Sequence, residues 1–452
     1  MSKSLSIDLL HWHTPAMRAF HLSWLAFFVC FFAWFAPAPL MPLIKAEFHL
    51  NASQVANMGI AAVAITILAR LVIGPLCDRF GPRLTYTALL LCGAVPVLGT
   101  VLAQDYRALV ICRVLGGIIG ASFVITQYQT TTMFAPNVVG TANAMAAGFG
   151  NAGGGLAQTL MPLLSAGLGG VLGAALGWRL SMVVPGVLLL LMAWLYWRHG
   201  QDCPEGNYGE MRRAGVATPG GKGGWSVFRA AAANHRVWLL AVAYGGCFGV
   251  ELFMHGVVAI YYVERFGLDM TIAGFAAGGF GLLALFARAL GGMASDGVAR
   301  IRGLDGRTTL LLMLLCGEAL GLLGFSMAAT APLAVAVMLA FGLCIHMACG
   351  ATYALMPFID RSATGGVAGI IGAGGNVGAV LAGLALKGVG DLQQTFAWLG
   401  GAVLLCALCA GMVRFSAAHK QREEALFQEA LLEKEAMRLR VSRVAANVEE
   451  GT

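Results

Sequence analysis

Charge is what this sequence has least of. Only 11% of its 452 residues are Asp, Glu, Lys or Arg, where soluble domains carry about 25%. With 58% apolar residues and a mean hydropathy of +0.77, that shortage excludes a soluble globular chain and leaves a polytopic membrane protein. Other chemistry is missing as well. No nucleophile with a nearby base, no cluster of metal ligands and no phosphate-binding loop accompanies the apolar stretches, so no enzyme, metal or cofactor is expected. The 11 cysteines lie mostly inside apolar windows, where a small polarizable side chain packs well, and imply no disulfide framework. Cys406 and Cys409 have C-x-x-C spacing but sit mid-span without a second pair. His11 and His13 flank Trp12 without acids and read as surface residues. The first residues lack a short apolar core followed by a small-residue cleavage site, and read as a polar lead.

What is present is apolar sequence in blocks of about 20 residues, the length that crosses a bilayer. Twelve such windows run from 20–43 to 394–415. The expected fold is therefore all-α, with twelve transmembrane helices in two pseudo-symmetric six-helix bundles. The expected boundaries are a lead (1–19), a first bundle (20–197), a linker rich in Gly, Arg and Lys (198–236), a second bundle (237–415) and a tail (416–452). The tail alternates charges with apolar residues at helical spacing and reads as an amphipathic helix, lying on the membrane or meeting a cytoplasmic partner. Of the 29 Lys and Arg, five (Lys45, Arg107, Arg179, Arg265, Lys387) fall on one side, three within spans and the rest on the side of the termini. That bias places both termini in the cytoplasm. The net charge of +7 then meets anionic lipid headgroups and needs no nucleic acid.

Against this background one charged pattern recurs. Arg-x-x-x-Gly-x-x-x-Asp occurs at Arg70, Gly74 and Asp78, and again at Arg288, Gly292 and Asp296. Eight residues at about 1.5 Å each lift the guanidinium roughly 12 Å above the aspartate, near the middle of a hydrocarbon core about 30 Å thick. An arginine there costs at least about 2.5 kcal/mol on insertion scales. Two at matching places argue for a shared polar cavity. The alternatives are snorkelling or an acid neighbour, but the depth is poor for the first and no acid lies one turn away for the second. A second repeat is glycine-rich: AAGFGNAGGG (Ala146 to Gly155) is echoed by GAGGNVGAV (Gly372 to Val380). Small residues allow close helix approach, and a carboxamide in hydrocarbon needs a partner, so Asn151 and Asn376 stand out.

GPLCDRFGPR, with Gly74, Asp78, Arg79 and Gly81, resembles the loop motif between the second and third helices of the major facilitator superfamily, and ICRVLGGIIG resembles its fourth-helix motif. GFGNAGGG and GAGGNVGA resemble the paired signatures of the nitrate/nitrite porter family. Phe20 to Leu40, FVITQY, YGGCFGVEL and GATYALMPF are also similar to that family, especially its assimilatory branch. The resemblance spans residues 20 to 415. It implies secondary transport of nitrate, and of nitrite, across the cytoplasmic membrane by alternating access. Arg70 and Arg288 would grip the anion, with Asn151, Tyr244, Phe248 and Phe123 lining the chamber. Gly148, Gly150, Gly375 and Asn376 would belong to the gating signatures, and Gly74, Asp78, Arg79, Gly81 and Asp296 to the conformational switch. One departure is local: GVEL is followed by Phe253 and His255.

The residue types suit the anion. Nitrate is planar and monovalent, and a guanidinium is a planar donor fork of permanent charge. Two such groups leave an empty site doubly positive, which favours nitrate/nitrite exchange unless another group compensates. Glu251, two turns after Tyr244, is the candidate, with His255 and His346 as possible relays. Proton-coupled import is the expectation on that basis, antiport with nitrite the alternative, and carriage of another small anion a more distant one.

Overall fold

The computed structural model describes residues 3–10, 12–135, 138–216, 225–360, 364–423 and 425. Most of the tail expected to form a cytoplasmic helix lies outside these residues, as do His11 and part of the linker. The described chain is helical throughout its spans and contains eleven helices long and apolar enough to cross a membrane. One of them, Met270–Ser326, has 57 residues, about 85 Å at 1.5 Å per residue, more than twice the hydrocarbon thickness. It is not straight. Gly303 takes φ 58°, ψ −146°, and Arg307 Nη1 comes within 2.7 Å of Asp296 Oδ1 and 3.1 Å of Ser295 Oγ. Residues eleven positions apart would stand about 16 Å apart on a straight helix, so this segment folds back and makes two crossings.

We number the crossings α1 (Pro15–Phe35), α2 (Ala52–Phe80), α3 (Pro82–Gly99), α4 (Tyr106–Met133), α5 (Val139–Leu172), α6 (Leu176–His199), α7 (His235–Phe266), α8 (270–302), α9 (304–326), α10 (Ala331–Leu355), α11 (Thr364–Val389) and α12 (Leu392–Gly411). Their ends carry ordinary stop and start chemistry. Asn51 and Gln54 form a reciprocal capping box on α2, Asp105 and Asp391 cap α4 and α12 through their side chains, and each satisfies a backbone N–H that the helix leaves open. Leu102, Val95, Leu405 and Trp398 point outward, as lipid-facing side chains should, since lipid imposes no penalty on them.

The interior of the first bundle is aromatic. Phe27, Phe31, Trp34 and Phe35 follow one another up α1 with ring centroids 4.5 to 5.8 Å apart. A third intramembrane arginine, Arg113 in α4, donates to the Trp34 carbonyl at 2.9 Å and so is engaged within this bundle.

The two bundles meet from the level of Arg70 and Arg288 to the side away from the linker. There α5 packs on α8 with no room for side chains. A Cβ on Gly155 would lie 2.6 Å from Leu282 N, one on Gly278 2.2 Å from Thr159 Cγ2, and one on Gly274 2.4 Å from the Gln158 carbonyl. The α2 to α11 contact is similar, with Gly383 against Ile60. An ion pair between Lys45 and Glu264 joins the bundles at the end away from the linker. On the linker side the named contacts stay within a bundle: Lys3 to the Thr131 carbonyl, Arg212 to the Arg79 carbonyl, Lys420 to Asp305.

Between α6 and α7, residues 200–213 lie against the first bundle. Asp202, 2% exposed, accepts the backbone N–H groups of Arg83 at 2.7 Å and Tyr208 at 2.8 Å. Gly81 faces it at φ +83°, and a Cβ there would sit 2.4 Å from the Asp202 carboxylate. Gly81 is therefore fixed twice, by backbone conformation and by space. A short helix, Trp225–Ala233, leads into α7.

Candidate functional site

Arg70 and Arg288 approach the centre from opposite bundles and are held differently. Arg70 donates from Nη1 to the Gly372 carbonyl at 3.0 Å and from Nη2 to the Gly120 carbonyl at 3.4 Å. Gly372 belongs to the other bundle, so α2 reaches α11 through this arginine. Both of its acceptors are neutral. Arg288, 5% exposed, places Nη2 at 2.7 Å from each Glu251 oxygen and 3.5 Å from Asn151 Oδ1. It pairs with an acid after all, one supplied by α7 and invisible to a search along its own helix. The Nε atoms of both arginines have no hydrogen-bond partner among the described residues.

Glu251, 1% exposed, is the centre of a polar cluster in α7. His346 Nδ1 stands 3.4 Å from its Oε2, and Cys349 donates to the same oxygen at 3.6 Å. His346 Nε2 lies 3.0 Å from the Phe280 carbonyl. A carbonyl only accepts, so Nε2 carries a hydrogen. In a neutral ring Nδ1 then presents its lone pair to a carboxylate, acceptor facing acceptor, and one proton between them turns that contact into a hydrogen bond. His255 is placed otherwise. Its ring lies tilted against Phe35 at 4.7 Å and edges Phe280 at 5.5 Å, with no hydrogen-bond partner for Nδ1 among the described residues, while its carbonyl accepts from Gln158 at 2.6 Å. The structure brings together Glu251 and His346, and packs His255 among aromatics at the bundle seam.

Aromatic rings stand beside both guanidinium groups. Phe248 lies 5.8 Å from the Arg70 guanidinium and 5.6 Å from that of Arg288, so one ring faces both charges. Phe123 is 5.9 Å from Arg70. Such placements are worth about 0.5 to 2 kcal/mol each, more when water is excluded. Tyr244 stacks on Phe248 with centroids 5.1 Å apart and an interplanar angle of 11°. Gly375 allows this, since a Cβ there would lie 2.5 Å from Phe248 and 2.9 Å from Tyr244.

The signature glycines divide by what they touch. Gly148 faces the Ala284 and Leu285 carbonyls of the other bundle at 3.2 to 3.3 Å from a built Cβ. Gly150 instead packs on Phe27 of its own bundle at 1.8 Å, and Gly375 on α7 of its own bundle. Their expected gating role does not follow from these contacts, which are internal to a bundle. The seam between the bundles is lined by Gly148, Gly155, Gly278 and Gly281. Asn151 and Asn376 each donate to the carbonyl four residues earlier, at 2.7 and 3.2 Å. In the expected switch motif, Asp296 is tied to Arg307 and Asp78 stands beside Tyr128. A Cβ on Gly74 or Gly292 would meet open space, and Arg79 lies over Phe80 at 5.2 Å.

Three residues escaped the sequence reading. Tyr353 bonds the Tyr244 hydroxyl at 3.0 Å, Cys349 touches Glu251, and Glu318 in α9 is wholly buried with neither oxygen partnered among the described residues. Tyr353 and Cys349 sit in or beside the GATYALMPF segment, where their helical spacing from one another was the available signal. Glu318, a lone acid in an apolar span, was visible by that fact alone.

Residues 23–383 match the Major Facilitator Superfamily. The chain is 38% identical over 419 residues to the high affinity nitrate transporter 2.5 of Arabidopsis thaliana, covering 92% of this chain and 83% of that one. It is 31% identical over 463 residues to the nitrate/nitrite transporter NrtP of Nostoc punctiforme, covering 87% and 91%. Among solved structures, a bacterial homologue of the human lysosomal transporter Spinster, inward-facing and unoccupied, aligns with a TM-score of 0.70 at 16% identity over 90% of this chain and 99% of that one. That likeness shows the fold alone.

Proposed function

The chain belongs to the nitrate/nitrite porter family of the major facilitator superfamily, and from that premise we propose that it imports nitrate, and nitrite, across the cytoplasmic membrane in company with protons. Both termini would face the cytoplasm, and the arrangement described here, joined on the outer side, would be the one open inward. The anion would sit between Arg70 and Arg288 and above the Phe248 face, with Phe123, Asn151 and Tyr244 completing the chamber. Guanidinium hydrogen bonds to an anion contribute about 1.5 to 3 kcal/mol each, and the aromatic walls strengthen them by excluding water.

The observation that carries the coupling is the Arg288, Glu251 and His346 contact. With two arginines and one carboxylate the empty chamber holds a single net positive charge, and Glu251 occupies Arg288 in place of substrate. A proton taken up between Glu251 and His346 weakens the hold of the carboxylate on Arg288. Arg288 is then free for nitrate, and anion and proton enter together. When the proton leaves on the inner side, Glu251 recovers Arg288 and the anion is displaced.

The test is nitrate uptake by proteoliposomes with a pH-sensitive dye inside. Acidification that follows nitrate, without internal nitrite, supports proton coupling. A strict need for internal nitrite with no proton movement would establish exchange instead.

A further inference from the structure

Two tyrosines meet in the chamber. Tyr244 in α7 and Tyr353 in α10 place their hydroxyls 3.0 Å apart, with the Tyr353 ring edge-on to Tyr244 at 5.5 Å and 77°. Neither is free to turn away. Tyr244 is clamped against Phe248 and Gly375, and Tyr353 packs on Phe123 of the opposite bundle at 5.7 Å. Tyr353 lies within electrostatic reach of both Arg70 and Arg288, so the pair stands near both guanidinium groups. Two hydroxyls bonded to each other hold two hydrogens and use one between them. The other is a neutral donor, fixed in place and available to a ligand.

We infer that this pair, and Tyr353 in particular, reads the third oxygen of nitrate and so sets the preference for nitrate over nitrite. The inference rests on the proposed nitrate site. Two arginines account for two oxygens of a planar anion. Nitrate has a third oxygen, in the same plane, whereas nitrite is bent and offers only nitrogen with its lone pair there. A site built around a hydrogen bond discriminates against the analogue that cannot make it, because its own donor is left unmatched. Tyr353 is suited to this because it bridges the bundles: it belongs to α10, its hydroxyl meets Tyr244 of α7 and its ring lies against Phe123 of α4. The donor is therefore positioned by contacts to both bundles at once.

The experiment measures nitrate and nitrite affinities by uptake competition in proteoliposomes for wild type, Tyr353→Phe and Tyr244→Phe. The expected result is a fall of about tenfold in the ratio of nitrate to nitrite affinity in Tyr353→Phe, equivalent to about 1.4 kcal/mol, with nitrite affinity within about twofold of wild type. Tyr244→Phe, which removes the other half of the pair, should move the ratio in the same direction and covers the case in which Tyr353→Phe fails to insert. An equal loss for both anions, or no change in the ratio, overturns the inference while leaving nitrate transport standing. Wild-type protein that takes up neither anion removes the site reading itself.

Discussion

Asn151 and Asn376 occupy matching places in α5 and α11, and each turns its amide nitrogen back to the carbonyl one helical turn earlier. Their oxygens differ. Asn151 Oδ1 is 3.5 Å from Arg288 Nη2, and Asn376 Oδ1 has no hydrogen-bond partner among the described residues. Asn151→Asp should therefore be worse than Asn151→Ala. A carboxylate there would compete with nitrate for Arg288, and uptake should fall below a tenth of wild type, against a loss of a few-fold for alanine. Initial uptake rates at matched membrane expression decide it.

Arg70→Lys should reduce nitrate affinity by about tenfold or more, since lysine keeps the charge but loses the fork that spans the Gly372 and Gly120 carbonyls and an anion together. Arg288→Lys should do the same and also loosen Glu251. Uptake at rising nitrate concentrations, with protein quantified in the membrane, checks both. Near-normal affinity in either variant would remove the two-arginine clamp.

Glu251→Gln removes the carboxylate that meets Arg288 at 2.7 Å. Breaking a buried pair from one side costs about 3 to 5 kcal/mol, so thermal stability in detergent should drop measurably. Nitrate should still bind, because Arg288 gains a vacancy, but uptake should lose its dependence on external pH. His346→Gln should flatten the same pH profile with less effect on stability. A pH profile unchanged in both would defeat the coupling scheme.

Gly155→Leu should block transport while leaving each bundle intact, since its Cβ would meet backbone of the opposite bundle at 2.6 Å. Gly150→Leu should instead impair folding, because Phe27 lies inside the same bundle. Fluorescence-detection gel filtration separates the two: a monodisperse but inactive Gly155 variant and a poorly folded Gly150 variant are expected.

Asp202 gives a pH dependence outside the membrane. Burial raises its carboxyl above the ordinary value of 3.8, although the Arg83 and Tyr208 N–H groups favour the ionised form. Asp202 in the folded protein thus keeps its proton to higher pH than in the unfolded chain. Its contribution is full below 3.8 and declines as the pH rises through the raised value. The melting-temperature difference between wild type and Asp202→Asn should move against wild type across that window. Asp202→Ala, which strands two N–H groups, should be less stable than Asp202→Asn at every pH.

Most of the fold was legible because lipid imposes a length: a span is about 20 apolar residues whatever its neighbours are. The arginines were legible for the same reason, being expensive where they stand. The partnership of Arg288 with Glu251 was not, because it is made between α8 and α7, and periodicity reports only the helix in which a residue lies. Tyr353 was hidden for a related reason. An aromatic in a transmembrane helix gives the same signal whether it packs or presents its hydroxyl, and only the 3.0 Å approach of Tyr244 separates the two. The glycines failed in the opposite way. Gly150 and Gly155 sit in one signature, and nothing in the letters tells which faces its own bundle and which faces the seam.

The first part of the linker is fastened to what precedes it. Residues 200–213 are bound to the first bundle through Asp202, Tyr208 and Arg212, while Trp238 at the start of α7 holds the Ala232 carbonyl within the second. A cut between Arg213 and Trp225 would leave both sets of contacts in place. Two separately translated halves, divided inside that stretch and produced in the same cell, should find each other through the glycine seam and the Lys45 to Glu264 contact, and transport as a two-chain carrier.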